Sequence, residues 1–387
     1  MSRNRRDFLR VTAAAGGALG LGLVPDVLGA ATPPAAPPAR EPTHPRRAIR
    51  LLILGGTGFI GPHQVRYAVE RGHDVTIFNR GSNPDMFPGV TELTGDRAAN
   101  DYRSLEGKTW DAVIDNSASR GDAPEWVRDA ATLLRDRVQQ YLFISTRSVF
   151  RDLSQVPATV DAPTFTPETT PNWQPGQTRP YGLAKAEAER EALKVFGERA
   201  TIVRPGLIVG PGDDTDRFTY WPVRVSKGGD VLAPNSPDEK IQCIDVRDLA
   251  NFMVHTLEQK TKGIFNADAP AGSLTIGRLL ETSRTVAKSD ARPVYVPTAF
   301  LEAQKVRPWA DMPVWIPASG DQAGSGQIST AKAQAAGLAY RPLVETVTDT
   351  LAWCRTWPKE RQDAPLKAGI TPEREAAVLA AWEASKG

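Results

Sequence analysis

The chain has 387 residues, 41% of them hydrophobic and 24% charged, which suits a folded globular protein holding one large α/β domain or two smaller ones. Net charge is +2, and four Arg and two Asp fall in the first 31 residues, so the remainder balances at 43 basic against 43 acidic side chains. That balance argues against a protein that coats nucleic acid, and two cysteines are too few for a cysteine-rich metal site.

Asn4-Arg5-Arg6-Asp7-Phe8-Leu9-Arg10 resembles the twin-arginine export signal of bacteria. The 14 residues from Val11 to Val24 are mostly Ala, Gly, Leu and Val. They fall short of the ~20 apolar residues of a spanning helix, and Gly29, Ala30 and Ala31 offer small side chains for cleavage. The expectation is a signal over 1–31, passage through the twin-arginine translocase, and a periplasmic or exported protein. Thr32 to Arg47 contains six prolines and reads as a semi-extended linker over 32–48.

The apolar run Ile49 to Leu54 enters Gly55-Gly56-Thr57-Gly58-Phe59-Ile60-Gly61, and Pro62 to Glu70 then reads as a helix. A buried strand, a glycine turn and a helix N-terminus in that order form a dinucleotide-binding unit. Gly55 permits the tight turn, Gly58 admits a pyrophosphate and Gly61 lets helix and strand approach. The next strand, Val75–Phe78, ends at Asn79-Arg80, where a carboxylate would hold a ribose 2′-hydroxyl. No acid stands there, and a guanidinium pairs with a 2′-phosphate, so the cofactor expected is NAD(P), with NADP slightly favoured. Stacking on adenine and a solvated turn are the other readings of Arg80.

Further strands fall at Val90–Leu93, Ala112–Ile114, Tyr141–Ser145 and Thr201–Val203, with helical patterns such as Pro124–Arg135 and Gly182–Phe196 between them. The alternation predicts an α/β fold with a Rossmann-type doubly wound parallel sheet over 49–204, its core returning at about 240–267. A smaller substrate lobe is expected from 205–239 and 268–360, with a helical tail over 361–387. Cys243 lies in the apolar segment Ile241 to Val246 and reads as core, which leaves its pairing with Cys354 open. Asp245 reads as a helix cap.

Tyr181-Gly-Leu-Ala-Lys185 opens the predicted helix, and i, i+4 spacing sets phenol and ammonium one turn apart. A cation there would lower the Tyr pKa from ~10 toward that of a working general base. Strand, glycine turn and helix, then Ser145-Thr146 at a strand end, then Tyr-x-x-x-Lys together resemble the extended short-chain dehydrogenase/reductase superfamily, in its epimerase/dehydratase-like branch. The resemblance runs from about Ile49 to Leu257. It implies Thr146, Tyr181 and Lys185 as the catalytic set. It implies a cofactor site of Gly55, Gly58, Phe59, Ile60, Gly61, Asn79, Arg80, Asp96, Arg97, Asn116, Ser117, Ser145 and Pro205, together with Tyr181 and Lys185. Asp96-Arg97 would meet adenine, and Asn116-Ser117 would lie along the cofactor. The sugar dehydratases of this branch follow their Thr with Asp-Glu; Arg147-Ser148 stands here instead, which removes those proton carriers.

The activity implied is an NAD(P)-dependent epimerase or oxidoreductase acting on a hydroxyl or carbonyl of a sugar-like or polyol substrate. Little free cofactor is expected outside the inner membrane, which favours a redox-neutral reaction on a tightly held one. A simple NADP-linked reductase is one alternative. A non-catalytic relative of the chloroplast stem-loop RNA-binding proteins is another, against which stand the balanced charge and the intact Tyr181 and Lys185. A homodimer is left open. Trp309, Trp315, Trp353 and Trp357, with Phe218, Tyr220 and Trp221, read either as stacking faces for a sugar or as the core of the lobe, the core reading being favoured for most of them. Asp213, Asp214, Asp216 and Arg217 are candidate hydroxyl contacts.

Overall fold

Leu51, Leu52, Ile53 and Leu54 are each fully buried, and a strand turns alternate side chains to opposite faces. Leu51 and Ile53 join one apolar cluster while Leu52 and Phe78 join another, so helices have to cover both faces of the sheet. A computed structural model, describing residues 47–116 and 121–387, supplies them. The expected export signal, the linker through residue 46 and Ser117 lie outside the described residues.

The first half of the chain contains β1 (Arg50–Leu54), α1 (Gly61–Glu70), β2 (Asp74–Asn79), β3 (Thr91–Thr94), β4 (Ala112–Asp115), α2 (Ala123–Leu134) and β5 (Gln140–Ile144). Next come α3 (Tyr181–Phe196), β6 (Ala200–Pro205), β7 (Leu207–Val209), α4 (Tyr220–Ser226), β8 (Asp230–Pro234) and β9 (Cys243–Asp245). There follow α5 (Val246–Glu258), β10 (Gly263–Ala267), α6 (Ile276–Ala287), β11 (Arg292–Val296) and α7 (Thr298–Ala303). The last helices are α8 (Ala331–Ala335), α9 (Leu343–Cys354), α10 (Lys359–Asp363) and α11 (Pro372–Ala384).

Seven strands make one parallel sheet in the order β10-β6-β5-β4-β1-β2-β3. Val65 and Ala68 of α1 and Leu249, Phe252 and Met253 of α5 cover the Leu51 face. Val127, Ala130 and Leu134 of α2 and Ala188, Ala192 and Phe196 of α3 cover the Leu52 face. This is the doubly wound arrangement that the sequence predicts. Strand order reverses between β1 and β4, and the crevice outside the carboxyl ends of those strands is where such sheets bind ligands.

A separate core, with Trp221, Leu232, Ile276, Leu280, Trp315 and Val347 among its buried members, forms the smaller lobe. Its two short parallel pairs, β8 with β11 and β7 with β9, are strands too brief for the sequence pattern to reveal. Two expected boundaries change. The tail assigned to 361–387 belongs to the lobe: Val378 is fully buried there, and Glu375 accepts the backbone N–H of Leu232 at 2.9 Å. The stretch 268–360 is shared between the units, since Ala333 and Leu338 pack into the Leu51-side core and Thr346 donates to Asp245 at 2.8 Å. Asp245 caps α5 by accepting the Arg247 N–H at 2.9 Å, as the sequence suggests. Cys243 and Cys354 are both buried and free, which closes the disulfide question.

Candidate active site

The glycine turn has the geometry that its sequence predicts. Gly55 holds φ +85°, and its N–H donates to the carbonyl of Phe78 at 2.8 Å, fastening the turn to β2. A Cβ on Gly61 would lie 2.4 Å from the Gly56 carbonyl carbon, so only glycine lets α1 start this close to the strand. Gly58 has open space where its Cβ would be. Together these leave a cradle of the kind that a pyrophosphate fills, at a helix N-terminus.

Next to this turn, Asn116 continues β4. Its amide pairs reciprocally with that of the fully buried Gln64 on α1, at 3.1 and 2.7 Å. Gln64 escaped the sequence reading; its one signal is a buried polar position on the apolar face of α1. Asn79 donates to Glu92 on β3 at 2.8 Å and accepts the Gly81 N–H, while Arg80 is exposed and makes no hydrogen bond among the described residues. The sequence reading missed Glu92 as a carboxylate beside the end of β2.

The expected adenine contact at Arg97 is corrected. Its guanidinium turns inward and grips Asp115 at 2.6 and 3.0 Å, with a further bond to the Trp126 carbonyl at 2.7 Å. Asp115 is fully buried and also accepts from Tyr141, so Arg97 is the cation that this carboxylate requires. Asp96 caps the following turn by accepting the Ala98 N–H at 3.0 Å. Arg204, just before Pro205, is likewise structural, binding Glu189 of α3 at 2.9 and 2.7 Å.

The ends of β1, β4, β5 and β6 open on a cavity of about 670 Å³ whose walls include Phe59, Ile60, Asn116, Ser145, Thr146, Tyr181, Lys185 and Pro205. The Thr146 hydroxyl lies close enough to Tyr181 to act on its phenol, and it accepts the Ser148 N–H at 3.1 Å. Ser145 Oγ is buried with no hydrogen-bond partner among the described residues. Tyr181 reaches this position because its neighbour has no side chain. A Cβ on Gly182 would lie 2.3 Å from the Ser148 carbonyl oxygen, so the first turn of α3 docks directly on the turn after Thr146. The signal in the sequence was a glycine inside the first turn of a helix, where it is otherwise unfavourable. Arg179 braces the approach to α3, bonding Gly121 O at 3.0 Å and Glu125 at 2.8 Å.

The electrostatics differ from the expectation. Tyr181 is not lowered by Lys185. Tyr181 keeps 42% of its surface exposed, and partial desolvation of its phenol by the cavity wall moves the pKa upward from 10, opposed by the Thr146 hydroxyl and by the charge of Arg217. Lys185 Nζ donates to the Ile144 carbonyl at 2.6 Å and lies 4.5 Å from the Phe143 ring centroid. Its burial pushes the ammonium down to about 8, although Asp115 and Glu189 oppose that shift. The physical reason is placement: the lysine runs along the end of β5, and the cation near the phenol comes from the loop after β7.

The late aromatics separate. Trp221 and Trp315 are core, donating to Pro313 O and Glu239 at 2.7 Å each. Trp353 and Trp357 pack edge to face on one another. Only Trp309 of these reaches the cavity wall. Asp216 is buried against Arg361 and the Lys367 N–H, so Asp213 and Arg217 are the charged members of that loop that line the cavity.

Several known proteins resemble this chain. A chloroplast stem-loop binding protein of 41 kDa from Arabidopsis thaliana is 27% identical over 236 residues, which cover 56% of this chain and 58% of that protein. A 2-alkyl-3-oxoalkanoate reductase from Stenotrophomonas maltophilia is 31% identical over 179 residues, covering 43% of this chain and 52% of the reductase. The chain thus spans little more than half the length of these two relatives. Among solved structures, the Bordetella bronchiseptica enzyme WbmG in complex with NAD superposes with a TM-score of 0.59 at 17% identity, covering 81% of this chain and 96% of that one. A family model matches residues 51–267, and with that match over more than half its length the chain belongs to the NAD dependent epimerase/dehydratase family.

Proposed function

We propose that the protein is an NAD(P)-dependent epimerase-type oxidoreductase acting on a hydroxyl or carbonyl of a sugar-like or polyol substrate. The observation that carries this is that Thr146, Tyr181 and Lys185 line one cavity, which also reaches the glycine turn at Phe59 and Ile60. The open cradle at Gly58 and the unpartnered Ser145 hydroxyl fit a bound dinucleotide, and WbmG is a relative in fold that binds NAD. A bound nicotinamide supplies a reversible hydride acceptor. The chain's own residues do the rest. Tyr181 takes the proton of the reacting hydroxyl and returns it, Thr146 fixes the oxygen beside the phenol, and Arg217 favours the phenolate while the proton is away. Lys185, anchored on Ile144 O, holds the floor of the site.

The cofactor preference rests on Arg80, exposed and unbonded as a 2′-phosphate partner would be, and it tilts toward NADP. Export through the twin-arginine pathway, argued from Arg5 and Arg6, favours a cofactor that stays bound and a redox-neutral reaction. The resemblance to a 2-alkyl-3-oxoalkanoate reductase supports a simple reductase as the second reading. The test is Tyr181→Phe. Turnover falls by about 10²–10⁴ with dinucleotide affinity unchanged. Full activity in the variant on an identified substrate would remove the mechanism.

A further inference from the structure

Asp213 is 1% exposed and lines the cavity, yet only half of its carboxylate is used. Oδ1 accepts the Thr215 N–H at 2.9 Å and the Thr215 hydroxyl at 2.7 Å, while Oδ2 is buried and has no partner among the described residues. A buried acceptor left unsatisfied calls for an explanation, and one lining a cavity finds it in a donor that arrives with the ligand. Four residues on, Arg217 spends Nε on Thr215 Oγ1 at 3.1 Å and lies over the Trp309 ring at 5.3 Å from its centroid. Neither of its terminal nitrogens has a hydrogen bond among the described residues. Arg147, next to Thr146, also lines the cavity, and its ion pair with Asp268 is loose at 3.5 Å. Arg217 is therefore a cation of the cavity wall whose terminal nitrogens remain open, and Arg147 is a second one held only loosely by Asp268.

We propose that Asp213, Arg217 and Arg147 form the recognition end of this cavity, and that its substrate is a polyhydroxylated carboxylic acid, with a hydroxyl donating to Asp213 Oδ2 and the acid group held by guanidinium. The proposal rests on the functional reading above for the identity of the reacting end. A planar guanidinium matches a carboxylate with two parallel hydrogen bonds, and the open terminal nitrogens of Arg217 suit an anion better than a neutral polyol. Trp309, with Arg217 already across its ring, offers an apolar face to the carbon skeleton. The dehydratase acid and base are absent at Arg147-Ser148, and the same position is turned to binding.

The experiment uses Tyr181→Phe protein loaded with dinucleotide, so that binding is read without turnover. The probes are matched pairs, glucuronate against glucose and galacturonate against galactose, titrated by calorimetry and by intrinsic tryptophan fluorescence, with Trp309→Phe identifying the share that comes from Trp309. In at least one pair the acid binds 10-fold or more tightly than the neutral sugar. Arg217→Gln abolishes that preference, Arg217→Lys restores part of it, and Asp213→Asn weakens both members of the pair. Equal binding of acid and neutral sugar, no binding by any member, or a preference unchanged by Arg217→Gln would overturn the proposal. Should either variant fail to fold, a rise in the melting temperature of the wild-type fold with the acids and not with the neutral sugars carries the same decision. Acid-selective binding in a wild-type protein that turns over nothing would instead refute the functional reading and leave this one standing.

Discussion

Asp268 follows β10, fully enclosed, with Oδ1 taking the Ala269 N–H at 3.0 Å and Oδ2 lying 3.5 Å from Arg147. Burial pushes its carboxyl up from 3.8 to about 6, Arg147 only partly opposing the rise. Because the folded pKa lies above the unfolded one, the stabilisation is complete below the unfolded value and is lost as pH rises through 6. A shift of about two units at ~1.36 kcal/mol each makes the ionised carboxylate cost about 3 kcal/mol at neutral pH. Asp268→Asn removes the charge and keeps Oδ1 for Ala269; the cost removed is already net of the contact to Arg147, which acts within the shift. The variant is therefore more stable than wild type by about 3 kcal/mol at pH 7.5 and nearly equal to it at about pH 4. Urea unfolding of both proteins at several pH values across that window measures the difference, in which other titrating groups cancel. A difference that does not change with pH, or a variant less stable at pH 7.5, would refute the reasoning.

Arg80→Ala weakens NADP by about 1.5–3 kcal/mol while leaving NAD nearly unchanged, as read by titrating each dinucleotide; an equal effect on both means that Arg80 meets no 2′-phosphate. Gly182→Ala drives a methyl into the Ser148 carbonyl, costs about 1–3 kcal/mol in thermal unfolding and lowers turnover by moving Tyr181 from Thr146, with dinucleotide binding retained. Thiol titration of the native protein finds both cysteines slow to react, and denaturation releases two thiols; finding none would mean a disulfide.

The sheet was legible in the sequence because each parallel strand is a short apolar run with its own turn signal, and because both faces demand burial. Gly55, Gly61, Thr146 and Tyr181 stand where their spacing says, since those motifs describe local backbone geometry. Arg97 misled for a physical reason. It follows a strand and suggests a ligand contact, but its side chain answers the buried carboxylate of Asp115 on another strand. The same long-range pairing hid the role of Arg217 at Tyr181, because nothing local links a loop after β7 to the first turn of α3. The lobe was least legible. Its strands are three to five residues long, and its core draws on α4, α6, α9 and α11 across more than 150 positions of chain.

Native mass spectrometry of the folded protein after long dialysis asks whether the fold holds a nicotinamide dinucleotide and works with it in place. The expected result is a bound mass equal to NAD or NADP, retained with Kd of about nanomolar or below. A protein that emerges empty, and that binds neither dinucleotide when titrated, would overturn the proposed function.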